Sequence, residues 1–301
     1  MNPAAAPHDV QAVVVNYNAG PKLLDCVRAL LDQPGLGRVW VSDNASQDGS
    51  IEALDGLAAA EPRLRILRNG RNLGFGAANN LALSSDAGAD WLLVNPDCLL
   101  EPGALEALER CRREHPRAGL LGGLVRNPGG SEQRGCRRDL PQLGTSLARS
   151  MGLSRFFGRR AWTDFDHTGG PLPGAPIKVG AVSGALMYLR AEALAATGPF
   201  DDGYFLHCED LDLCRRMADE GWDVMFVPEA AAVHFQGTSS RRTPLRVHWH
   251  KHKSMWRYYA KFDARGHGAL LNALVWAGIW TRFILTAPGA ILGAGAPARQ
   301  P

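Results

Sequence analysis

Residues 10–18, VQAVVVNYN, decide the fold of this 301-residue chain. Apart from Gln11, the run from Val10 to Val15 is apolar and rich in β-branched side chains, which is typical of a strand buried on both faces. Polar residues follow at once, at Asn16 and Asn18. This pattern predicts an inner strand of a parallel sheet, with polar side chains at its carboxyl end.

Strand and helix signals alternate from this strand to about residue 125. Leu23, Val27 and Leu30 recur at a helical spacing directly after the first strand. Further strands are predicted at 38–41, 64–67, 91–94 and 119–124, and helices at 21–33, 50–60, 75–83 and 102–114. Strand–helix alternation with short connections predicts an α/β fold, a mostly parallel sheet flanked by helices.

The pattern breaks after residue 125. Residues 126–178 are rich in Gly, Pro and Arg and have weak periodicity, which predicts a long excursion rather than a sheet element. Strand signal returns at 179–189 and 223–227, and a helix is predicted at 209–220. We therefore expect one domain over residues 1–240 and a helical C-terminal extension over 241–301.

Composition excludes a disordered tail protein, a coiled coil and a collagen-like fibre. Lys and Arg total 33 against 30 Asp and Glu, and hydrophobic residues make up 46% of the chain. These values fit a folded globular protein and give no argument for nucleic acid as a partner. Six cysteines without Cys-x-x-Cys spacing indicate reduced, mostly buried thiols. Since no basic segment precedes the short first apolar run, we expect a cytoplasmic protein.

Polar residues follow three of the predicted strands. Asn16 and Asn18 end the first, Asp43 and Asn44 the second, and Asn95-Pro96-Asp97 the fourth. Ligands of open α/β sheets bind at the carboxyl ends of the strands. Three polar strand ends in one sheet therefore predict a shared ligand, with Asp43 placed to bond a base or a ribose.

Residues 72–80, NLGFGAANN, form a glycine-bearing turn that enters a helix. Backbone N–H groups at a helix start attract phosphate. The turn lacks the order of a dinucleotide fingerprint and of a P-loop. Close packing of helix on sheet explains the glycines equally well.

Two further signals lie downstream. Glu209, Asp210 and Asp212 open a helix that carries arginines one turn later. Favourable charge at a helix N-terminus is the alternative explanation for these acids. His234 ends an apolar run, and a lone histidine in such a place is more often structural than a ligand.

Taken together, the motifs resemble those of the family 2 glycosyltransferases, which have the GT-A (nucleotide-diphospho-sugar transferase, Rossmann-like) fold. The resemblance covers roughly residues 10–240 and is closest to the rhamnosyltransferase-like branch. It rests on five motifs in one order, Asn16-Tyr17-Asn18, Asp43-Asn44-x-Ser46-x-Asp48-Gly49-Ser50, Asn72-x-Gly74-Phe75-x-x-Ala78-x-Asn80, Asn95-Pro96-Asp97 and Glu209-Asp210. Many relatives carry Asp where this chain has Asn95, which leaves Asp97 as the main acidic metal ligand.

The resemblance implies a role for each matching position. Asp97 and His234 would hold a divalent metal, Mg²⁺ or Mn²⁺, and imidazole favours Mn²⁺. Asp210 would be the catalytic base, and Glu209 would orient the acceptor. The excursion 126–178 would lie on the acceptor side. The nucleotide sugar would be bound by Asn16, Asn18, Asp43, Asn44, Asn72, Gly74, Asn79 and Asn95.

The implied activity is inverting, metal-dependent sugar transfer. The branch predicts L-rhamnose from dTDP-rhamnose as the donor, and a cell-surface polysaccharide or a polyprenyl-diphosphate-linked glycan as the acceptor. A galactofuranosyl, mannosyl or N-acetylglucosaminyl transferase and a non-catalytic nucleotide-sugar binding protein are the alternatives. The joint presence of Asp43, Asp97 and Asp210 argues against the non-catalytic reading.

The C-terminal extension predicts contact with a membrane surface. Residues 241–265 contain eight Lys or Arg and one acid, interleaved with aromatic residues. Residues 269–281 are uncharged, but Arg282 and Pro288 follow, short of the ~20 apolar residues of a spanning helix. An interfacial helix is therefore expected, with the enzyme peripheral on the inner face of the plasma membrane. A helix packed on the domain is the alternative.

Overall fold

The computed structural model describes residues 10–141, 166–235 and 244–293. Its strands are β1 (Val10–Asn16), β2 (Leu36–Asp43), β3 (Leu64–Arg68), β4 (Asp90–Val94), β5 (Cys98–Leu100), β6 (Ala118–Arg126), β7 (Arg137–Arg138), β8 (Ile177–Lys178), β9 (Ala181–Val182), β10 (Leu186–Leu189) and β11 (Asp223–His234). Its helices are α1 (Lys22–Leu31), α2 (Asp55–Ala60), α3 (Phe75–Leu83), α4 (Ala104–Glu114), α5 (Ala191–Thr197), α6 (Glu209–Asp219), α7 (Pro244–Phe262) and α8 (Ala269–Gly293). Single 3₁₀ turns lie at Glu52–Leu54 and Ala264–Gly266.

The central sheet has the strand order β3-β2-β1-β4-β10-β6-β11-β5, and β8 also pairs with β11. Strand β1 lies parallel to both β2 and β4, with Val14 opposite Val41 on one side and Val94 on the other. Every residue of β1 is buried, as a strand inside a sheet requires. The predicted α/β class and the parallel first half of the sheet are confirmed.

The second half of the sheet is mixed. Strand β10 lies antiparallel between β4 and β6, with Leu186 opposite Val94. The single strand predicted at 179–189 is in fact β9 and β10, separated by residues 183–185. The chain turns there because the carbonyl of Ala185 accepts a hydrogen bond from the Asn95 N–H, 3.1 Å away, at the end of β4.

Strand β11 runs further than the predicted 223–227. Its pairing with β6 is irregular between Val227 and Ala231, around Pro228, which has no N–H to donate. The strand resumes after this irregularity and carries His234 to its end, opposite Cys98 of β5. Both β11 and β5 thus deliver residues to the same edge of the sheet.

The excursion 126–178 is partly ordered into strands, so its description as free of sheet elements is wrong. Strand β7 pairs with β9 in a small second sheet, and β8 pairs with β11. The pairing of β7 with β9 holds the excursion against the loop that precedes β10. Residues 142–165 of the excursion lie outside the described ranges.

Helix α7 packs against the domain. Ser254 donates a hydrogen bond to the Leu206 carbonyl over 2.9 Å. Lys261 donates to Asp212, a fully buried carboxylate, over 2.6 Å. Basic residues expected on a solvated or membrane-facing surface are thereby used to fix the extension to the domain.

Helix α8 is unbroken, so the interruption expected at Arg282 and Pro288 is wrong. An arginine is a good helix former. A proline costs about 3 kcal/mol inside a helix, but Pro288 lies close to the C-terminal end of α8 at Gly293. Residues Ala269–Gly289 have a mean hydropathy of 1.4 and, judged by length and composition alone, are long and apolar enough to cross a membrane. Val275 and Ile279 pack towards α7, while Leu270 and Leu285 are 77% and 74% exposed.

Candidate active site

A cavity of about 420 Å³ opens at the carboxyl edge of the sheet. Its wall is formed by the ends of β1 and β4, the start of α3, the segment before α6, the end of β11 and the first turns of α7. Residues from these elements include Tyr17, Asn95, Asp97, Phe205, His234 and Arg246. The polar strand ends predicted from the sequence therefore do meet at one edge.

Asp97 and His234 form a buried pair in this wall. The Nε2 atom of His234 lies 3.0 Å from Oδ1 of Asp97, and both side chains are less than 10% exposed. Cys98 pairs with His234 across β5 and β11, which places the acid and the imidazole side by side. The family resemblance of the motifs predicted both residues as metal ligands, and the structure brings them together.

The tautomer of His234 follows from its neighbours. Gln133 donates from Nε2 to Asn127 over 3.3 Å, so its Oε1 accepts from His234 Nδ1 at 2.8 Å. Asn95 donates from Nδ2 to His234 Nε2 over 3.3 Å. With the proton on Nδ1, Nε2 is the ring nitrogen left to bind a cation, and it lies 3.0 Å from Oδ1 of Asp97, close enough for one cation to contact both atoms.

These residues fit a divalent metal that takes its remaining ligands from a substrate. A histidine whose far nitrogen is held by a second residue is the usual form of a metal-binding imidazole. Among the residues that the structure describes, no group of three or more His, Cys, Asp or Glu could hold a metal alone. The phosphate oxygens of a bound nucleotide would have to complete the coordination.

Asn16 and Asp43 form a second buried cluster. Asn16 donates from Nδ2 to Asp43 at 2.9 Å, to Ser46 at 2.9 Å and to Ser50 at 3.0 Å. Asn18 accepts from the Gln47 N–H over 2.8 Å. Asn16 and Asn18 thus hold the loop after β2 in place and do not line the cavity. Asp43, at the start of this loop, is held by the hydrogen bond from Asn16.

The turn into α3 is built for packing. Asn44 donates to the Gly74 carbonyl over 3.2 Å, and Asn72 accepts from the Gly74 N–H over 2.9 Å. Gly74 has φ +90°, and a Cβ there would lie 2.5 Å from the Phe205 carbonyl oxygen. Asn44, Asn72 and Gly74 line the cavity. Asn79 donates to the Phe75 carbonyl within α3 and is not among the cavity-lining residues.

The predicted acid pair lies at the first turn of α6. Arg138 of β7 donates to Oδ2 of Asp210, and the Leu211 N–H donates to Oδ1 over 2.8 Å. The Cβ of Asp210 lies beside Gly184, next to Ala185, which holds the Asn95 backbone. Asp210 is thereby tied to the segment that carries the predicted metal motif.

Glu209 is in a different electrostatic state from its neighbour. Burial, and secondly the adjacent Asp210, raise the pKa of Glu209 from 4.5 to about 8. Its side chain is therefore mostly protonated at neutral pH. It is 7% exposed and is not among the residues that line the cavity.

Sequence reasoning missed Gln133, Arg138 and Arg246. The first two lie in the aperiodic excursion, and the third lies in the segment interpreted as a membrane-facing tail. Each acts through a contact with a residue that is distant in sequence.

The chain was compared with known proteins. It matches the family model described as "Glycosyltransferase like family 2" over residues 7–268. It is 33% identical over 289 residues to the N-acetylglucosaminyl-diphospho-decaprenol L-rhamnosyltransferase of Mycobacterium tuberculosis (strain ATCC 25618 / H37Rv), covering 87% of this chain and 91% of that protein. A shorter match, 35% over 80 residues, is to rhamnosyltransferase WbbL of Escherichia coli (strain K12), covering 26% of this chain and 30% of that one.

Two solved structures are similar in fold. One is the mannosyltransferase PcManGT from Pyrobaculum calidifontis in complex with GDP-Man and Mn²⁺, with a TM-score of 0.57 and 19% identity over 100% of this chain and 79% of that one. The other is GalNAc-T7 with UDP, GalNAc and Mn²⁺, with a TM-score of 0.58 and 14% identity over 95% and 57%. The predicted GT-A fold is confirmed.

The family match spans the cavity, the acid pair and helix α7. The relative from Mycobacterium tuberculosis is aligned over nearly its whole length, which supports the predicted rhamnosyltransferase-like branch. Fold, motif order and family model agree, and on these grounds the chain belongs to the family 2 glycosyltransferases.

Proposed function

We propose that this glycosyltransferase moves L-rhamnose from dTDP-rhamnose to a polyprenyl-diphosphate-linked glycan, with inversion at the sugar carbon. The observation that carries the proposal is the 33% identity to a rhamnosyltransferase that acts on a decaprenyl-diphosphate-linked N-acetylglucosamine, over 91% of that protein. The family model over residues 7–268 includes the site residues and helix α7. Donor and acceptor are therefore inferred from a match over the whole catalytic unit.

A divalent metal would be held by Asp97 and His234, with Gln133 fixing the imidazole. Bound there, Mg²⁺ or Mn²⁺ supplies positive charge for the diphosphate that leaves with the nucleotide. The Mn²⁺ in both similar structures supports this proposal. Asn95 contributes a neutral amide where many relatives carry a second acid, so Asp97 is the one carboxylate of this motif that can bind the metal.

Asp210 is proposed as the base that takes the proton of the acceptor hydroxyl. Arg138 donates to this carboxylate and fixes its plane. Each carboxylate oxygen retains a lone pair beyond the contacts already made to Arg138 and to the Leu211 N–H. One of these lone pairs would accept the proton as the hydroxyl oxygen attacks the sugar.

The acceptor's lipid suggests where the enzyme works. The exposed apolar side chains of α8 would meet the membrane that holds a polyprenyl acceptor, and nucleotide sugars are made in the cytoplasm. We place the protein on the cytoplasmic face of that membrane.

A donor screen tests the proposal. The full chain is incubated with a lipid-diphosphate-linked N-acetylglucosamine and, separately, with dTDP-rhamnose, UDP-galactofuranose, GDP-mannose and UDP-N-acetylglucosamine. Sugar-modified lipid is quantified by mass spectrometry. Rhamnose is the expected product, and preferred transfer of another sugar would assign the enzyme to a different donor.

A further inference from the structure

Helix α7 brings a guanidinium to the wall of the cavity. Arg246 lines it together with Val247 and His250. The guanidinium carbon of Arg246 lies 5.4 Å from the ring centre of Phe205, and the imidazole of His250 stacks on the same ring at 4.2 Å. Phe205 therefore fixes which side of α7 faces the cavity.

Arg246 makes no ion pair with any residue in the described ranges, in contrast to other cations of α7. Arg257 and Lys261 are both bound to Asp201, at 2.6 and 2.9 Å. The residues that anchor α7 to the domain and the residue that faces the cavity are thus different. Because Arg257 and Lys261 hold α7 on the domain, Arg246 is positioned at the cavity without taking part in these ion pairs.

Arg246 is the one arginine or lysine among the described residues that line the cavity, and two histidines there have lowered pKa values. Burial lowers the pKa of His207 to about 4, and burial together with the nearby Arg246 lowers the pKa of His250. Arg246 is therefore the permanent cation among the described residues that line the cavity. A negatively charged ligand in this cavity can therefore pair with one permanently positive side chain, that of Arg246.

The backbone N–H groups at the start of α3 do not offer an alternative to Arg246 for binding an anion. The N–H groups of Leu73, Gly74 and Phe75 donate to Asn44, to Asn72 and to the Phe205 carbonyl, over 3.3, 2.9 and 3.1 Å. Three backbone donors of the turn expected to attract phosphate are thereby occupied by the protein itself. Charge from a side chain is needed in their place.

We propose that Arg246 binds a substrate diphosphate in this cavity, which makes helix α7 part of the active site. The inference rests on the proposed function, in which the nucleotide sugar and the lipid-linked acceptor both carry a diphosphate. A guanidinium binds phosphate oxygens through two parallel N–H donors, a geometry that an ammonium group lacks.

The test measures binding to the full chain by calorimetry. The donor-side probes are thymidine diphosphate and thymidine monophosphate, and the lipid-side probes are farnesyl diphosphate and farnesyl monophosphate. Arg246→Gln is expected to weaken one diphosphate probe about tenfold and the matching monophosphate less. Arg246→Lys, which keeps the charge, is expected to lose less. Lys253→Gln, an exposed change on the same helix, is the matched control.

The two arms identify the source of the diphosphate. Weaker thymidine diphosphate binding assigns Arg246 to the donor, weaker farnesyl diphosphate binding assigns it to the acceptor, and either supports the inference. Unchanged affinity of Arg246→Gln for both diphosphates, or an equal loss in Lys253→Gln, would overturn it. If rhamnose is not transferred but diphosphate binding still depends on Arg246, the proposed function fails and this inference stands.

Discussion

Arg138 and Asp210 pair across 72 residues of sequence, and this contact joins strand β7 to the first turn of α6. Arg138 belongs to the excursion, and Asp210 belongs to the motif predicted to supply the base. The ion pair fixes the position of the Asp210 carboxylate. The excursion thus supports the acid pair in addition to any contact that it makes with an acceptor.

Replacing Asp210 with Asn should lower kcat by at least ~10²-fold, the usual loss when a general base is removed. The amide keeps the shape of the side chain but cannot accept the proton, so thymidine diphosphate binding should be retained. Steady-state rates and calorimetry measure the two effects. Asp219→Asn, at the exposed end of the same helix, is the control, and transfer at the parent rate by Asp210→Asn would refute the assignment.

The raised pKa of Glu209 predicts a pH-dependent stability. The folded pKa of about 8 exceeds the ordinary value of 4.5, so the folded state binds the proton more tightly. Its contribution is fully present below pH 4.5 and is lost as the pH rises through 8. The wild type should therefore lose unfolding free energy relative to Glu209→Gln over this range, by at most ~1.4 kcal/mol per pH unit.

Denaturant titrations of both proteins at several pH values measure this difference. A constant gap between wild type and Glu209→Gln from pH 5 to pH 8.5 would show that Glu209 ionises without cost. Glu220→Gln, an exposed change after the end of the same helix, should show no such trend.

Replacing Gln133 with Met should weaken Mn²⁺ binding in the presence of thymidine diphosphate. Gln133 holds Nδ1 of His234 at 2.8 Å, and loss of such a partner commonly costs about 10–100-fold in metal affinity. Binding of Mn²⁺ can be followed by electron paramagnetic resonance. Equal Mn²⁺ affinity in wild type and Gln133→Met would mean that the imidazole is not a ligand or needs no positioning.

Helix α8 should bind vesicles through its exposed apolar side chains. Since Arg257 and Lys261 are used in ion pairs with the domain, we expect only part of the binding to anionic vesicles to disappear at ~1 M salt. Leu274→Ser/Leu285→Ser should remove most of the salt-resistant part in a flotation assay. Leu81→Ser/Leu172→Ser, which changes two exposed leucines of the domain, is the control. A chain that stays in solution with anionic vesicles at low salt would contradict a membrane role.

Periodicity predicted the first half of the molecule well. The bounds of α3 agree at both ends, and the buried run of β1 identified the inner strand, because hydrophobic burial on both faces leaves a strong local signal. The antiparallel insertion of β10 left no such signal. Its place is set by pairing with β4, 92–98 positions earlier in the chain, and with β6, 65–69 positions earlier.

The sequence offered motifs for the residues proposed to react and no local signal for the residues proposed to support them. Asp97 and Asp210 follow from the family resemblance. Gln133 and Arg246 have roles only through contacts with His234 and Phe205. Local patterns carry no information about such contacts, and the basic composition of α7 suggested a membrane instead of a cavity wall.

Metal-assisted rhamnosyl transfer is tested by measuring transfer from dTDP-rhamnose to a lipid-diphosphate-linked N-acetylglucosamine, with Mn²⁺ and with excess chelator. We predict that wild type forms the rhamnosylated lipid only with metal, that Asp97→Asn forms almost none, and that Asp55→Asn, an exposed change remote from the cavity, matches wild type. Undiminished transfer in excess chelator, or by Asp97→Asn, would contradict the metal-assisted mechanism proposed for this enzyme.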